Sequence, residues 1–228
     1  MPSLYADKHW ISGYVLARDS RVWRVDRNEN IQLRHVEVDA PSTAIITVIV
    51  VIANVTEALA TFTTLAGAKK PFKIIVVCQD PAAYSELSWF PHNYRYMLPQ
   101  CSIFKPTVTL DICNSMIAGL QQVTTSHFCV LGAYSLAHIL AFNCIGMELK
   151  LHDYDVLLVK KFKINEAGWV HYDNPTVKPI WRTNYVLYMG GFQGEAQSVE
   201  EAEAQLLCRT PDKANQGQLD DVLFYVKD

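Results

Sequence analysis

The stretch Thr43–Pro81, TAIITVIVVIANVTEALATFTTLAGAKKPFKIIVVCQDP, decides the fold. Its first part, Ala44–Ile52, is apolar almost throughout and rich in Ile and Val, the composition of a strand buried on both faces. Asn54 follows, a residue whose side chain caps helix amides, and Glu57 three positions on completes a capping-box-like pair. Val55, Leu59, Phe62 and Ala66 recur at helical spacing and share one face, and Gly67 is a natural stop. Lys69, Lys70 and Pro71 make the turn into a second buried strand, Phe72–Cys78. A strand, helix and strand of this length cross over right-handed into a parallel sheet. Such sheets bind ligands beyond the carboxyl ends of their strands, here at Ala53–Asn54 and Gln79–Asp80.

Around that unit, 228 residues with 50% hydrophobic side chains suffice for one large α/β domain spanning 1–228, with 1–40 as an N-terminal strand and hairpin extension. A net charge of −3 does not suit a general nucleic-acid or membrane-surface binder. Five arginines lie between Arg18 and Arg34, but Asp19, Asp26 and Glu29 are mixed among them. They read as a solvated hairpin surface or, locally, a phosphate-facing patch. The six cysteines include no Cys-x-x-Cys pair, and Cys78 and Cys129 sit inside apolar runs. Buried, reduced thiols fit a reducing compartment. No basic-then-apolar leader follows Met1, and the longest apolar run, Ala44–Ala53, is too short for a bilayer. A soluble, cytoplasmic protein is expected.

Before the central unit, Trp10–Leu16, Val22–Val25 and Ile31–Val38 are β-rich, the last two joined as a hairpin by the turn Asp26–Asn30. After it, Ala82–Pro106 is rich in aromatic residues and proline, and Pro91, Pro99 and Pro106 argue against a long helix. Trp89, Phe90, Tyr94 and Tyr96 either line a pocket rim or pin a long loop to the core. Asp111–Val123 has helical spacing, His127–Leu131 is a short strand, and Gly132–Ser135 is a turn. Leu136–Cys144 is expected to be helical, while Asp155–Ile164, Gly168–Tyr172, Trp181–Met189 and Leu219–Val226 are expected to be strands. Ser198, Glu200 and Glu201 open a helix running to about Arg209 with a capping box. Dinucleotide, P-loop and nucleophile-elbow glycine motifs are missing, and the seven histidines show no His-x-x-x-His spacing.

Four motifs in order resemble the nucleotide-sugar glycosyltransferases with a Rossmann-like GT-A-type fold, and among them the large inverting family 2. The first strand ends Val51-Ile-Ala-Asn54, keeping the Asn of that family's opening turn but not its Pro and Tyr. The second ends in Gln79 and Asp80, where the family has two acids, one of which holds the base. The third, after a helix containing Asn114, ends at Leu131 and leads into Gly132-Ala-Tyr134, where the family's metal-binding Asp-x-Asp would stand. The fourth is Gly190-Gly-Phe192, followed by Glu200-Glu201 in place of the family's Glu-Asp, whose second acid is the general base.

The resemblance implies a mostly parallel central sheet flanked by helices. It also implies a hexosyl- or pentosyltransferase that moves a sugar from a nucleotide-sugar co-substrate to an acceptor hydroxyl, with inversion. Ala53, Asn54, Asp80, Gly132 and Tyr134 would hold the nucleotide and diphosphate, and Glu201 would be the base. Such chemistry needs a base at the acceptor and a positive charge at the leaving diphosphate. Three readings address the missing Asp-x-Asp. A divalent metal, Mn or Mg, sits on Asp153 and Asp155 of His152-Asp-Tyr-Asp155; or Arg182 or Arg209 replaces it; or the chain is a non-catalytic GT-A-like binding or assembly protein. The acceptor stays open among a glycan, a protein, a small molecule and modified DNA, and a homo-oligomer is compatible with the sequence.

Overall fold

The computed structural model describes residues 14–16, 22–24, 45–68, 72–87, 101–165 and 170–227. Strands β1 (Tyr14–Leu16) and β2 (Val22–Arg24) pair antiparallel, Leu16 opposite Val22. The expected turn Asp26–Asn30, the strand Ile31–Val38 and the aromatic segment Trp89–Tyr96 lie outside the described residues.

The central unit forms as its sequence dictates: β3 (Ile46–Ile52), α1 (Val55–Gly67) and β4 (Lys73–Cys78), with the two strands parallel and Val50 opposite Val76. Asn54 caps α1, its Oδ1 accepting from the Thr56 amide at 2.7 Å. Next come α2 (Pro81–Leu87), β5 (Cys101–Phe104), α3 (Ile112–Leu120) and β6 (His127–Leu131). β5 is parallel to β4, and β6 is parallel to β3 on its other side. The remaining elements are β7 (Ser135–Ala137), α4 (Ala141–Leu151), β8 (Val156–Ile164), β9 (Val170–Arg182), α5 (Thr183–Tyr188), α6 (Val199–Arg209) and β10 (Gln216–Lys227). Eight strands form one mixed sheet in the order β5-β4-β3-β6-β9-β8-β10-β7.

Strand alternation sorts the core into two layers. Ile46, Val48, Val50 and Ile52 of β3 meet Phe62 and Leu65 of α1 and, in the same cluster, Phe142 and Ile145 of α4. Ile49 and Val51 face the other way, toward Met116 of α3 and Val199 and Leu206 of α6.

Several expectations are corrected. Leu136 and Ala137 are strand, not helix, and the helix begins only at Ala141: with Ser135 they run antiparallel to the end of β10, with Leu136 opposite Tyr225, a partner almost ninety residues away that local composition does not reveal. The expected strand Trp181–Met189 ends at Arg182, and α5 follows. Its aromatic and β-branched residues suit either state. Cys101–Phe104 is an edge strand inside the proline-rich tract, fitted between Pro99 and Pro106.

Candidate functional site

Chain order reverses across β3. The chain leaves β3 toward β4 and β5 on one side and returns to β6 on the other. Helices flank both faces, and such a reversal sets the ligand crevice of a parallel sheet at the carboxyl ends of the strands, here β3 and β6. Exposed Ala53 and Asn54 form one lip, and Gly132, Ala133 and Tyr134 the other. Asp80 lies one strand beyond Asn54, since β4 neighbours β3 and Gln79 donates its amide to Ile52 O at 2.8 Å.

Each lip residue has a local reason for its place. Asp80 accepts from the Ala83 amide at 2.8 Å and so caps α2. Thr61 of α1 donates to Ala133 O at 2.7 Å, fastening the loop after β6 to the helix after β3. Tyr134, 43% exposed, lies within hydrogen-bonding reach of the Glu57 carboxylate. Partial desolvation and then the Glu57 carboxylate raise its phenol above the ordinary range. Glu57 therefore acts on Tyr134, a role its capping-box spacing does not foretell.

The start of α6 closes one side. A Cβ built on Gly132 would lie 3.7 Å from Val199 Cγ2, so the first turn of α6 rests on the loop after β6. Ser198 caps this helix by accepting from the Glu201 amide at 3.1 Å, and Glu201 returns the bond, its Oε2 accepting from the Gln197 amide at 2.8 Å. The expected capping box is present in a shifted form, with Glu201 accepting from Gln197, the residue before the cap, and it occupies one oxygen of Glu201.

Glu200 is turned inward instead. Its Oε1 lies 3.5 Å from Lys161 Nζ, ion-pair range but long for a hydrogen bond, and that oxygen is buried without a hydrogen-bond partner. Beneath it Lys178 Nζ donates to both oxygens of Glu203, at 2.9 and 2.7 Å, with both side chains out of solvent. Lys161, Lys178, Glu200 and Glu203 thus form a buried tetrad between the β8–β9 pair and α6. It sits near the carboxyl end of β6, because Lys178 carries a charge felt by Cys129 two residues before Leu131. Burial would raise Glu200, but Lys178 and Lys161 outweigh it and hold its carboxyl below the ordinary range. Burial pushes Glu203 up to about 7 against the pull of Lys178. Burial, reinforced by Lys178, lowers Lys161.

The tetrad was missed in the sequence, although signals exist. Lys161 continues the Leu157, Val159 alternation of β8, and Glu203 shares the inward stripe of Val199 and Leu206 on α6.

Asp153, Asp155 and Arg182 stand at the other end of the sheet. β9 runs antiparallel to β6 and ends with Arg182 opposite His127, the first residue of β6. Arg182 pairs with Asp153 and, at 3.5 Å, with Asp155, and donates to Tyr154 O at 3.0 Å. Asp155 Oδ2 also accepts from the Asn215 amide at 2.9 Å. These groups knit the loop before β8 to its neighbours and do not reach the crevice. Arg209 donates to Gly191 O at 2.8 Å, holding the Gly-Gly turn to the end of α6. Gly190 and Gly191 have φ of 83° and 73°, values that exclude most side chains, and they reverse the chain after α5 so that Phe192 packs edge-on to Phe128. At the position of the expected Asp-x-Asp, Gly132, Ala133 and Tyr134 offer no carboxylate. Among the described residues no three His, Cys, Asp or Glu side chains converge.

The strand order, the crevice at the reversal and the helix seated against its lip define a GT-A-type α/β fold. The same fold occurs in S. aureus TarS. TarS 1-349 superposes with a TM-score of 0.63 at 17% identity, over 80% of this chain and 60% of that one. Its complex with UDP gives a TM-score of 0.64 at 16% identity. The complex with UDP-GlcNAc gives 0.60 at 18%, over 80% of this chain and 58% of that one. The chain therefore spans about three fifths of TarS 1-349, and at such identities the likeness is one of fold. No protein-family model and no curated protein matches the sequence. No helix among the described residues is long and apolar enough to cross a membrane.

Proposed function

We propose that the chain transfers a hexosyl or pentosyl group from a nucleotide-sugar donor to an acceptor hydroxyl, with inversion. The observation that carries this reading is the seating of the α6 start, with its paired acids, against Gly132 at the strand reversal of a GT-A-type fold. Ala53, Asn54 and Asp80 lie where the nucleoside would rest, and Gly132 and Tyr134 flank the diphosphate. An acid from Glu200-Glu201 takes the acceptor proton, the task for which inverting transfer needs a carboxylate on the acceptor side. Solved complexes of the structural neighbour with UDP and UDP-GlcNAc make uridine donors the first to try.

The absence of carboxylates from Gly132 to Tyr134 also favours a second reading, a nucleotide-binding or assembly protein without turnover. The test is direct. UDP and GDP, with and without manganese, are added during thermal unfolding, and UDP-sugars and GDP-sugars are then assayed for nucleotide release. A raised melting temperature with release supports transfer; a raised melting temperature without release supports the second reading. No shift with any nucleotide removes both.

A further inference from the structure

We propose that Glu57 regulates nucleotide binding through Tyr134: on binding, the Tyr134 hydroxyl leaves the Glu57 carboxylate and donates to a phosphate oxygen of a nucleoside diphosphate. This rests on the nucleotide-binding part of the proposed function. The loop after β6 lies along one face of α1, where Glu57, Thr61 and Thr64 follow one another at helical spacing. Thr64 Oγ1 accepts from the Ala137 amide at 3.2 Å, and Thr61 donates to Ala133 O at 2.7 Å. Both threonines are buried. The Ser135 amide donates to Gly132 O at 3.2 Å and closes the turn, with Ala133 and Tyr134 at its corner. The third rung is different. Glu57 is exposed, and the Tyr134 ring that reaches it is 43% exposed.

The two buried rungs already fix the backbone of the loop, so the exposed one is not needed to hold it. The part left free to move is the Tyr134 side chain. An exposed contact with a carboxylate contributes little, so an incoming acceptor can displace it. Partial desolvation, and after it Glu57, keep the phenol protonated beyond its ordinary range. A protonated phenol has one hydrogen to give and serves one acceptor at a time.

A phosphate oxygen at the strand reversal therefore competes with Glu57 for that hydrogen. It also meets the negative charge of Glu57. Gly132 and Ala133, the other residues of the turn, have no side-chain donor to take the place of the hydroxyl. Glu57 thus opposes a diphosphate twice, by occupying Tyr134 and by its charge, and only the first effect depends on the hydroxyl.

The experiment is a double-mutant cycle on the full chain. UDP affinity is measured by calorimetry for wild type, Glu57→Ala, Tyr134→Phe and the double variant, with ligand-free melting temperatures as the check on folding. Tyr134→Phe is expected to weaken UDP by about 2- to 10-fold, the size of one net hydrogen bond. Glu57→Ala is expected to tighten UDP. In the Tyr134→Phe background the same substitution tightens it less, because only the charge effect is left. Glu57→Gln, which keeps an acceptor for the phenol without the charge, falls between wild type and Glu57→Ala. Equal gains from Glu57→Ala in the two backgrounds overturn the exchange and leave Glu57 as a plain repelling charge. Unchanged UDP affinity in Tyr134→Phe overturns it too, as does Glu57→Ala binding UDP no more tightly than wild type. All three results leave the nucleotide site standing. Wild type that binds no nucleotide overturns the nucleotide reading itself, and the exchange falls with it.

Discussion

Lys178 is the residue whose surroundings leave least freedom. It is fully buried, and its only charge partner at hydrogen-bond distance among the described residues is Glu203. Burial alone would lower its ammonium; the Glu203 and Glu200 carboxylates outweigh this and hold it above its ordinary range. Lys178→Met strands Glu203 and should cost about 3–5 kcal/mol in urea unfolding, whereas Lys178→Met with Glu203→Leu should recover most of that loss. A larger loss in the double variant would show that the pair itself stabilises the fold. A pH dependence follows from the same pair. Glu203 titrates near 7 in the folded chain against an ordinary 4.5, so the folded chain keeps a proton that the unfolded chain releases. Its contribution is full below about pH 4.5 and is lost as pH rises through about 7. Stability measured at pH 5 and pH 8 should fall with pH through this group in wild type and flatten in the double variant. At this scale the sequence was partly legible. Asn54 and Ser198 announce themselves as caps because capping is local, and both cap. The Lys178–Glu203 pair joins residues 25 positions apart on different elements, and no local pattern records that.

Helix α3 shows how closely the elements are fitted. A Cβ on Gly119 would fall 2.5 Å from Ile49 Cγ2 and 3.1 Å from Val77 Cγ2, on β3 and β4. Both neighbours are buried β-branched side chains with little rotamer freedom. Gly119→Ala should therefore destabilise by about 1–3 kcal/mol despite alanine's better helix propensity. Gly132→Ala, whose Cβ would meet nothing closer than 3.7 Å, should leave the unfolding midpoint near wild type. Ser198→Ala removes the cap of α6 and should cost about 1 kcal/mol. Equal midpoints for Gly119→Ala and wild type would mean that α3 can move away from the sheet. Elements were legible where their burial is uniform: β3, β4 and β6 are apolar runs closed by caps or turns, and His127–Leu131 matches its expected bounds residue for residue. They were not legible at Leu136–Ala137 and Thr183–Tyr188, where three-residue β7 depends on β10 and short α5 depends on the Gly190–Gly191 reversal.

At the scale of the whole molecule, the sheet separates two polar ends with different tasks. The end holding His127, Tyr154, Asp153, Asp155 and Arg182 is internally paired. Burial, first among the influences on it, lowers His127, which favours a neutral ring donating to Tyr154 O. The opposite end, at the strand reversal, leaves Asn54 and Tyr134 exposed. A ligand that bridges these lips binds only the folded chain and must raise its stability. At a hundredfold excess over its dissociation constant the gain is about 2.7 kcal/mol. UDP should therefore raise the melting temperature in a concentration-dependent way. Because Gly132, Ala133 and Tyr134 offer no carboxylate, the rise should be the same in excess EDTA as in manganese. Tyr134→Ala, which removes an exposed ring from one lip, should reduce the rise while leaving the ligand-free melting temperature close to wild type. A rise that appears only with manganese would place a metal with the nucleotide and require acids from outside the crevice lips. A rise unaffected by Tyr134→Ala would move the nucleotide away from the reversal altogether.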